Sequence, residues 1–206
     1  MKKIKVAIIE DDVHWLKGIK SYISKNDDME VVGCATTKED AINIAKSVHT
    51  DVILMDINLN GNECDGIYAL ADILEFKKVK VIMITSISDE AVIRNAFVSG
   101  AVSYIKKENF EDLTTQIRRC MDDTNPIEVL LKEFKILSRE IQLKELSTCE
   151  RQIFEYLEQG YSHKKIEAVS LKSPNTIKSQ IRSILQKLKV KSSKSAVKKI
   201  KRGGLL

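Results

Sequence analysis

"DVILMDIN", residues 51–58, sets four apolar residues, Val52 to Met55, directly against a carboxylate, Asp56. An aliphatic run without polar alternation reads as a strand covered on both faces, the kind parallel sheets use. A charge where such a strand ends needs a partner or a use. Working outward, comparable runs recur at 4–9 ("IKVAII"), 30–34 ("EVVGC"), 79–85 ("VKVIMIT") and 102–105 ("VSYI"). Helical patterns with readable ends lie between them. Thr36 with Glu39 forms a capping box, Ser88 precedes the acids Asp89 and Glu90, and Gly100 stands as a left-handed cap. Five βα units predict an α/β domain with a doubly wound, five-stranded parallel sheet. Ligands of such sheets sit beyond the carboxyl ends of the strands. Glu10, Asp11, Asp12, Asp56, Thr85 and Lys107 all fall at strand ends of that kind.

The chain has 206 residues, comfortable for two small domains, and its net charge of +5 is unevenly spread. Residues 1–122 hold 16 lysines and arginines against 20 acids, residues 123–145 hold 4 against 5, and residues 146–206 hold 14 against 4. A segment that basic points to a polyanionic partner, although a solvated basic face accounts for the charge alone equally well. The four cysteines, Cys34, Cys64, Cys120 and Cys149, have neither metal nor redox spacing, which suits reduced thiols. The apolar run after the first lysines is too short for a signal peptide, and no stretch approaches the ~18 residues of a membrane span. A cytoplasmic protein without membrane association is expected.

Three or four carboxylates converging at one sheet edge repel each other unless a cation sits among them. All-oxygen donors favour a hard ion, and Mg2+ takes a few protein carboxylates while keeping its waters. With a threonine hydroxyl and a lysine ammonium added, the set suits a phosphoryl group, and Asp56 is the natural nucleophile. Taken singly, Asp56 reads as a helix cap or loop acid, and Thr85 or Lys107 means nothing. The strand order that assembles them carries the inference. Trp15 and His14 read as surface or first-helix packing, with no chemistry.

The succession "IIEDD", "VILMD", "MITS", "GAVSYIKK" resembles a two-component receiver domain of flavodoxin-like fold, over residues 3–122. The resemblance implies that Asp56 is the phosphoacceptor. It makes Asp11 a Mg2+ ligand with Glu10 assisting, and the Asn58 backbone carbonyl a further one. Thr85 becomes the switch hydroxyl and Tyr104 the switch ring. Lys107 becomes the phosphate-pairing lysine, preferred to Lys106 because the family lysine lies three residues after the aromatic. Asp12 reads as a cap of the first helix. Three departures stand out: the loop "INLNGNECDGI" is about two residues longer than usual and lacks a proline, Glu108 follows Lys107, and Ile87 is apolar where an attacking water must pass.

Residues 123–145 read as a linker helix. Asn125 is its cap, and Ile127, Leu130, Phe134, Leu137 and Ile141 form an apolar seam of about two heptads. Docking on a neighbouring domain and self-association are both open for it. Residues 146–206 read as helices throughout. Ser147 and Glu150 make a capping box, Gly160 closes that helix, Ser162 opens a second, Ser173-Pro174 a third and Ser193 a fourth. In the third helix Ile177, Ile181, Ile184 and Leu188 share one face, with Asn175, Ser179, Arg182 and Gln186 opposite and Lys178 at the border. A packed back and a polar, basic front suit a DNA major groove.

The stretch 146–190 resembles the helix-turn-helix DNA-binding domain of the LuxR/NarL class, at Leu146, Glu150, Gly160, Ser162, Ile166, Ser173, Thr176, Lys178, Ile184, Lys187, Leu188 and Val190. By that resemblance Lys178, Ser179 and Arg182 reach base edges, while Asn175, Thr176 and Lys187 contact phosphates. Glu167 and Ser170 depart from the family's alanine and leucine, with Ala168 and Val169 expected to compensate by a shifted packing. His163 reads as solvated. The whole is identified as a member of the response regulators, a transcriptional regulator rather than an enzyme. A sensor histidine kinase, double-stranded DNA with paired half-sites and a second copy in an active homodimer are its implied partners. Two alternatives remain open: a DNA-binding or adaptor protein that ignores phosphorylation, and a Mg2+-dependent phosphatase. The latter needs an acid two residues after the nucleophile, where Asn58 stands.

Overall fold

The computed structural model describes residues 3–62, 64–122 and 126–204. Five strands, β1 (Ile4–Ile9), β2 (Met29–Ala35), β3 (Val52–Met55), β4 (Lys80–Thr85) and β5 (Ser103–Lys106), form one sheet in the order β2-β1-β3-β4-β5. All pairings are parallel. The sheet alternates with α1 (Val13–Ser24), α2 (Lys38–Ser47), α3 (Asp65–Leu74), α4 (Glu90–Ser99) and α5 (Leu113–Cys120), with a 3-10 turn (Lys107–Asp112) ahead of α5.

Every residue of β3 is buried, as its unbroken aliphatic run requires. One core cluster joins Val6, Ile8, Leu54, Ile82 and Ile84 of the sheet to Ile19 and Ile23 of α1 and to Leu113 and Ile117 of α5. Ile9, Ile53, Met55 and Met83 are also buried, as are Ile67, Leu70 and Ile73 of α3. Register then brings the strand ends together. Met55 pairs with Ile9, the Asp56 amide donates to the Ile9 carbonyl at 2.9 Å, and Thr85 pairs with Lys106. The order reverses between β1 and β3, the place where such sheets open a crevice. Gly66 lies against that edge. A Cβ there would lie 1.8 Å from the Asp56 carbonyl oxygen, so only glycine lets α3 start so near the site.

Two helix starts differ from the sequence reading by one residue. Thr37, not Thr36, caps α2, accepting from the Asp40 amide at 3.1 Å, and Asp89, not Ser88, caps α4. In each pair the residue nearer the helix has the extended backbone a cap needs. Gly100 takes the expected left-handed conformation, φ 117°.

The chain divides into two compact units, Met1–Phe134 and Lys135–Leu206. The boundary falls inside α6 (Pro126–Gln142), so the stretch read as linker is shared out between them. Glu128 pairs with Lys80 in the first unit. Arg139 pairs with Glu158 at 2.6 Å in the second, where Leu143 is buried. Ile127, Leu130, Leu137 and Ile141 are all more than half exposed. The cap read at Asn125 lies outside the described residues.

The second unit contains α7 (Thr148–Glu158), α8 (His163–Ser170), α9 (Pro174–Lys187) and α10 (Ser193–Lys201). They enclose Leu146, Ile153, Phe154, Ile166, Ile177, Ile181, Ile184, Ala196 and Ile200. The Ser147–Glu150 capping box and the Ser162 and Ser173 caps are present, and Ser192 caps α10. No helix among the described residues is long and apolar enough to cross a membrane.

Candidate functional site

Glu10 and Asp56, at the ends of β1 and β3, are 1% and 6% exposed. With Asp11 they bring one carboxylate oxygen each within 4.8 Å of one another. The Lys107 ammonium, just past β5, donates to Glu10 and to Asp56 at 2.8 Å each. Burial pushes the Glu10 carboxyl up, the Asp56 charge adds to that, and hydrogen bonding from Lys107 only partly opposes it. Burial pulls Lys107 down, yet its two carboxylate partners outweigh the loss and hold it above the usual lysine range.

Thr85, 1% exposed at the end of β4, accepts from the Ile87 amide at 3.2 Å. The Tyr104 hydroxyl donates to the Ile87 carbonyl, so Ile87 is gripped from both sides by the two residues read as switch elements. Burial raises the Tyr104 phenol, and the charges of Asp56 and Glu108 add to it. Asp12 caps α1, accepting from the His14 amide at 2.8 Å and the Trp15 amide at 3.2 Å, and takes no place in the acidic cluster.

The donor chemistry fits a hard divalent cation. Three carboxylates converge, and the Asn58 side-chain oxygen is buried without a protein partner beside them in sequence. The longer loop after Asp56 engages this cluster, because the Asn60 amide donates to Asp11 Oδ2 at 2.9 Å. Asn60 and Gly61 are both left-handed, at φ 55° and 73°, the signature of a tight Asn-Gly turn. An amide fixed on one oxygen of Asp11 orients that carboxylate. The sequence reading flagged the loop's length and missed this contact, since a backbone donor leaves no residue signature.

In the second unit Ile177, Ile181 and Ile184 of α9 are buried, while Asn175, Thr176, Lys178, Ser179, Arg182 and Gln186 are exposed. The two faces separate as the spacing predicts. Ser173 accepts from the Thr176 amide at 3.2 Å, and Ser179 donates to the Thr176 carbonyl at 2.9 Å. Lys187 is different: its ammonium is 2.7 Å from Glu150, which also accepts from Ser183 at 2.6 Å. A lysine so engaged ties α9 to α7. The expected compensation at the turn is absent. Ala168 and Val169 are exposed, and Ser170 Oγ and Lys172 Nζ are buried without protein partners where apolar side chains would pack. Ile166 is the one residue of α8 that is buried.

Residues 6–118 match the response regulator receiver domain family, and residues 144–200 match the bacterial regulatory proteins of the luxR family. The response regulator protein VraR of Staphylococcus epidermidis is 32% identical over 199 residues, 94% of each chain. The response regulator domain of Thermotoga maritima CheB superposes with a TM-score of 0.55 at 29% identity, over 59% of this chain and 98% of its own. The RcsB response regulator of Salmonella typhimurium shares the fold across 95% of this chain and 98% of its own, with a TM-score of 0.53 at 21% identity. A receiver half and a helix-turn-helix half thus stand in one chain, each with its own family match. The chain belongs to the response regulators, as a receiver domain followed by a LuxR-type DNA-binding domain.

Proposed function

We propose that Asp56 accepts a phosphoryl group from a histidine kinase and that the modification governs how the second unit engages DNA. The observation that carries this reading is the Lys107 ammonium bridging Glu10 and Asp56 at 2.8 Å, with Thr85 buried at the adjacent strand end. An Asp56 oxygen attacks phosphorus, the phosphorus–nitrogen bond of the donor breaks, and the departing imidazole is released. Lys107 and Thr85 take phosphoryl oxygens. Glu10, Asp11 and Asp56, with the Asn58 carbonyl, are the residues to hold Mg2+, which when bound neutralises charge on those oxygens. Once Thr85 turns to the phosphoryl group it gives up the Ile87 amide. The Tyr104 hydroxyl, anchored on the same residue, is then free to move.

Asn175, Thr176, Lys178, Ser179 and Arg182 are the side chains offered to DNA, with Lys178, Ser179 and Arg182 toward base edges and Asn175 and Thr176 toward phosphates. Lys187 is the phosphate contact with the least freedom, because Glu150 already holds it. A cytoplasmic homodimer on paired half-sites completes the reading.

Treating the full chain with acetyl phosphate and Mg2+, then measuring covalent phosphate, mass in solution and DNA affinity together, tests it. Phosphate uptake, a doubled mass and tighter DNA binding are expected. Uptake without any change in DNA binding would break the proposed link. Two substitutions refine the parts. Arg182→Ala is expected to weaken specific binding by ~1–3 kcal/mol if the arginine reads a base in bidentate fashion. An unchanged footprint and affinity would remove it from the recognition set. Ile87→Glu, placing a polar side chain where water must approach, is expected to shorten the lifetime of the aspartyl phosphate several-fold. An unaltered half-life would show that Ile87 does not shield it.

A further inference from the structure

Lys107 has a third neighbour. Its ammonium lies 5.6 Å from the centre of the Trp15 ring, within the ~6 Å over which a cation is drawn to an indole face. The ring is itself held. Trp15 meets Phe110 edge-on, with centroids 6.0 Å apart and planes at 77°, and Phe110 meets Tyr22 at 5.4 Å and 71°. The Tyr22 hydroxyl then donates to the Glu111 carbonyl at 2.8 Å. Phe110 and Glu111 belong to the 3-10 turn that Lys107 begins, so these contacts fasten that turn to α1.

A lysine side chain has a long, flexible stem and three N–H donors. Glu10 and Asp56 accept two of those donors. An indole face attracts the ammonium without using a donor or supplying a competing anion. It can therefore stay in place while the lysine exchanges a carboxylate oxygen for a phosphoryl oxygen. We infer that Trp15 is a positioning residue for phosphoryl transfer, its indole keeping the Lys107 ammonium extended into the acidic pocket. The inference rests on the reading of Asp56 as the phosphoacceptor.

The test is the rate of phosphate uptake from acetyl phosphate with Mg2+, in the full chain, for Trp15→Leu, Trp15→Phe, Lys107→Met and the Trp15→Leu/Lys107→Met pair. Trp15→Leu is expected to slow uptake roughly three- to tenfold, and Trp15→Phe to restore most of the rate. In the Lys107→Met background Trp15→Leu should slow it no further, because the two act through one contact. Equal slowing in both backgrounds would mean that Trp15 merely packs α1, and would overturn the proposal. A second readout needs no Trp15 variant. Trp15 is the sole tryptophan, so its emission should differ between the parent and Lys107→Met, which takes the ammonium off the ring, and the difference should persist when beryllium fluoride and Mg2+ mimic the phosphoryl group. Identical emission in the parent and Lys107→Met would also overturn it. Should Asp56→Asn take up phosphate like the parent, the underlying reading fails. Should Asp56→Asn be inert while Trp15→Leu matches the parent, only the role of Trp15 fails.

Discussion

Asp56→Asn is expected to abolish phosphate uptake, by at least about a hundredfold, while leaving the receiver folded. An amide oxygen carries no charge to attack phosphorus, and none of the neighbouring acids can replace it. Glu10 is engaged by Lys107 and by the Asp12 amide at 3.3 Å, and Asp11 by the Asn60 amide. The fold should tolerate the change because the substitution acts in opposite directions. It removes one partner of Lys107, which keeps Glu10, and it removes the negative charge that helps push the Glu10 carboxyl up. The melting temperature is expected to stay close to the parent's, and DNA affinity to lose its response to acetyl phosphate. Uptake at the parent's rate would end the case for Asp56. A variant that fails to fold would instead show that Lys107 needs both carboxylates to be buried.

The sheet was legible because its strands are short, continuous, β-branched aliphatic runs, and length and composition distinguish these from the capped, periodic helices between them. Val52 to Met55 have no polar residue to accommodate and can only be interior. The acidic pocket was legible for a related reason. Parallel topology sends every strand's carboxyl end the same way, so residues far apart in sequence, from Glu10 to Lys107, must meet once the strand order is known. Contacts made through the backbone or through the accident of a helix's facing direction were not legible. The Asn60 amide on Asp11 has no side-chain signature. Trp15 lies four residues past Asp11 on α1, and nothing in that spacing says which way its ring turns. The turn between α8 and α9 was misread in a telling way. Hydrophobicity put Ala168 and Val169 forward as substitutes for a missing leucine, but both are exposed: Ala168 lies on the side of α8 away from buried Ile166, and Val169, one turn on from Ile166, stands at the end of the helix.

Glu150 is where the DNA-binding unit is expected to be most sensitive. Its carboxylate closes the capping box of α7 by accepting from the Ser147 amide at 2.7 Å, and also takes the Ser183 hydroxyl and the Lys187 ammonium of α9. One side chain thus starts α7 and clamps α9 to it. Burial pushes the carboxyl up, but the bonds from Lys187, Ser183 and Ser147 outweigh it and bring it from 4.5 down to about 2. A carboxylate depressed on folding contributes stability that is fully present above pH 4.5 and is lost as pH falls from there through about 2. Lys187 is one-third exposed, so solvent screening limits this pH-dependent part to about 1–2 kcal/mol. Glu150→Ala also leaves the Ser147 amide and a half-buried ammonium without their acceptor, and its total cost is expected to be ~2–4 kcal/mol. Glu150→Gln keeps an acceptor for the cap and the hydroxyl but not the ion pair. It should lose less and should flatten the acid limb between pH 4.5 and 2. Unfolding followed by two signals locates the effect. Trp15 emission reports the receiver, because no other tryptophan exists, whereas far-ultraviolet circular dichroism reports the helices of both units. The helical signal should lose stability in its DNA-binding component while the Trp15 transition stays where it was. A Glu150→Ala protein with both transitions unmoved would show that the clamp adds nothing to packing around Phe154 and Ile184, and that α9 is held in place by its apolar face alone.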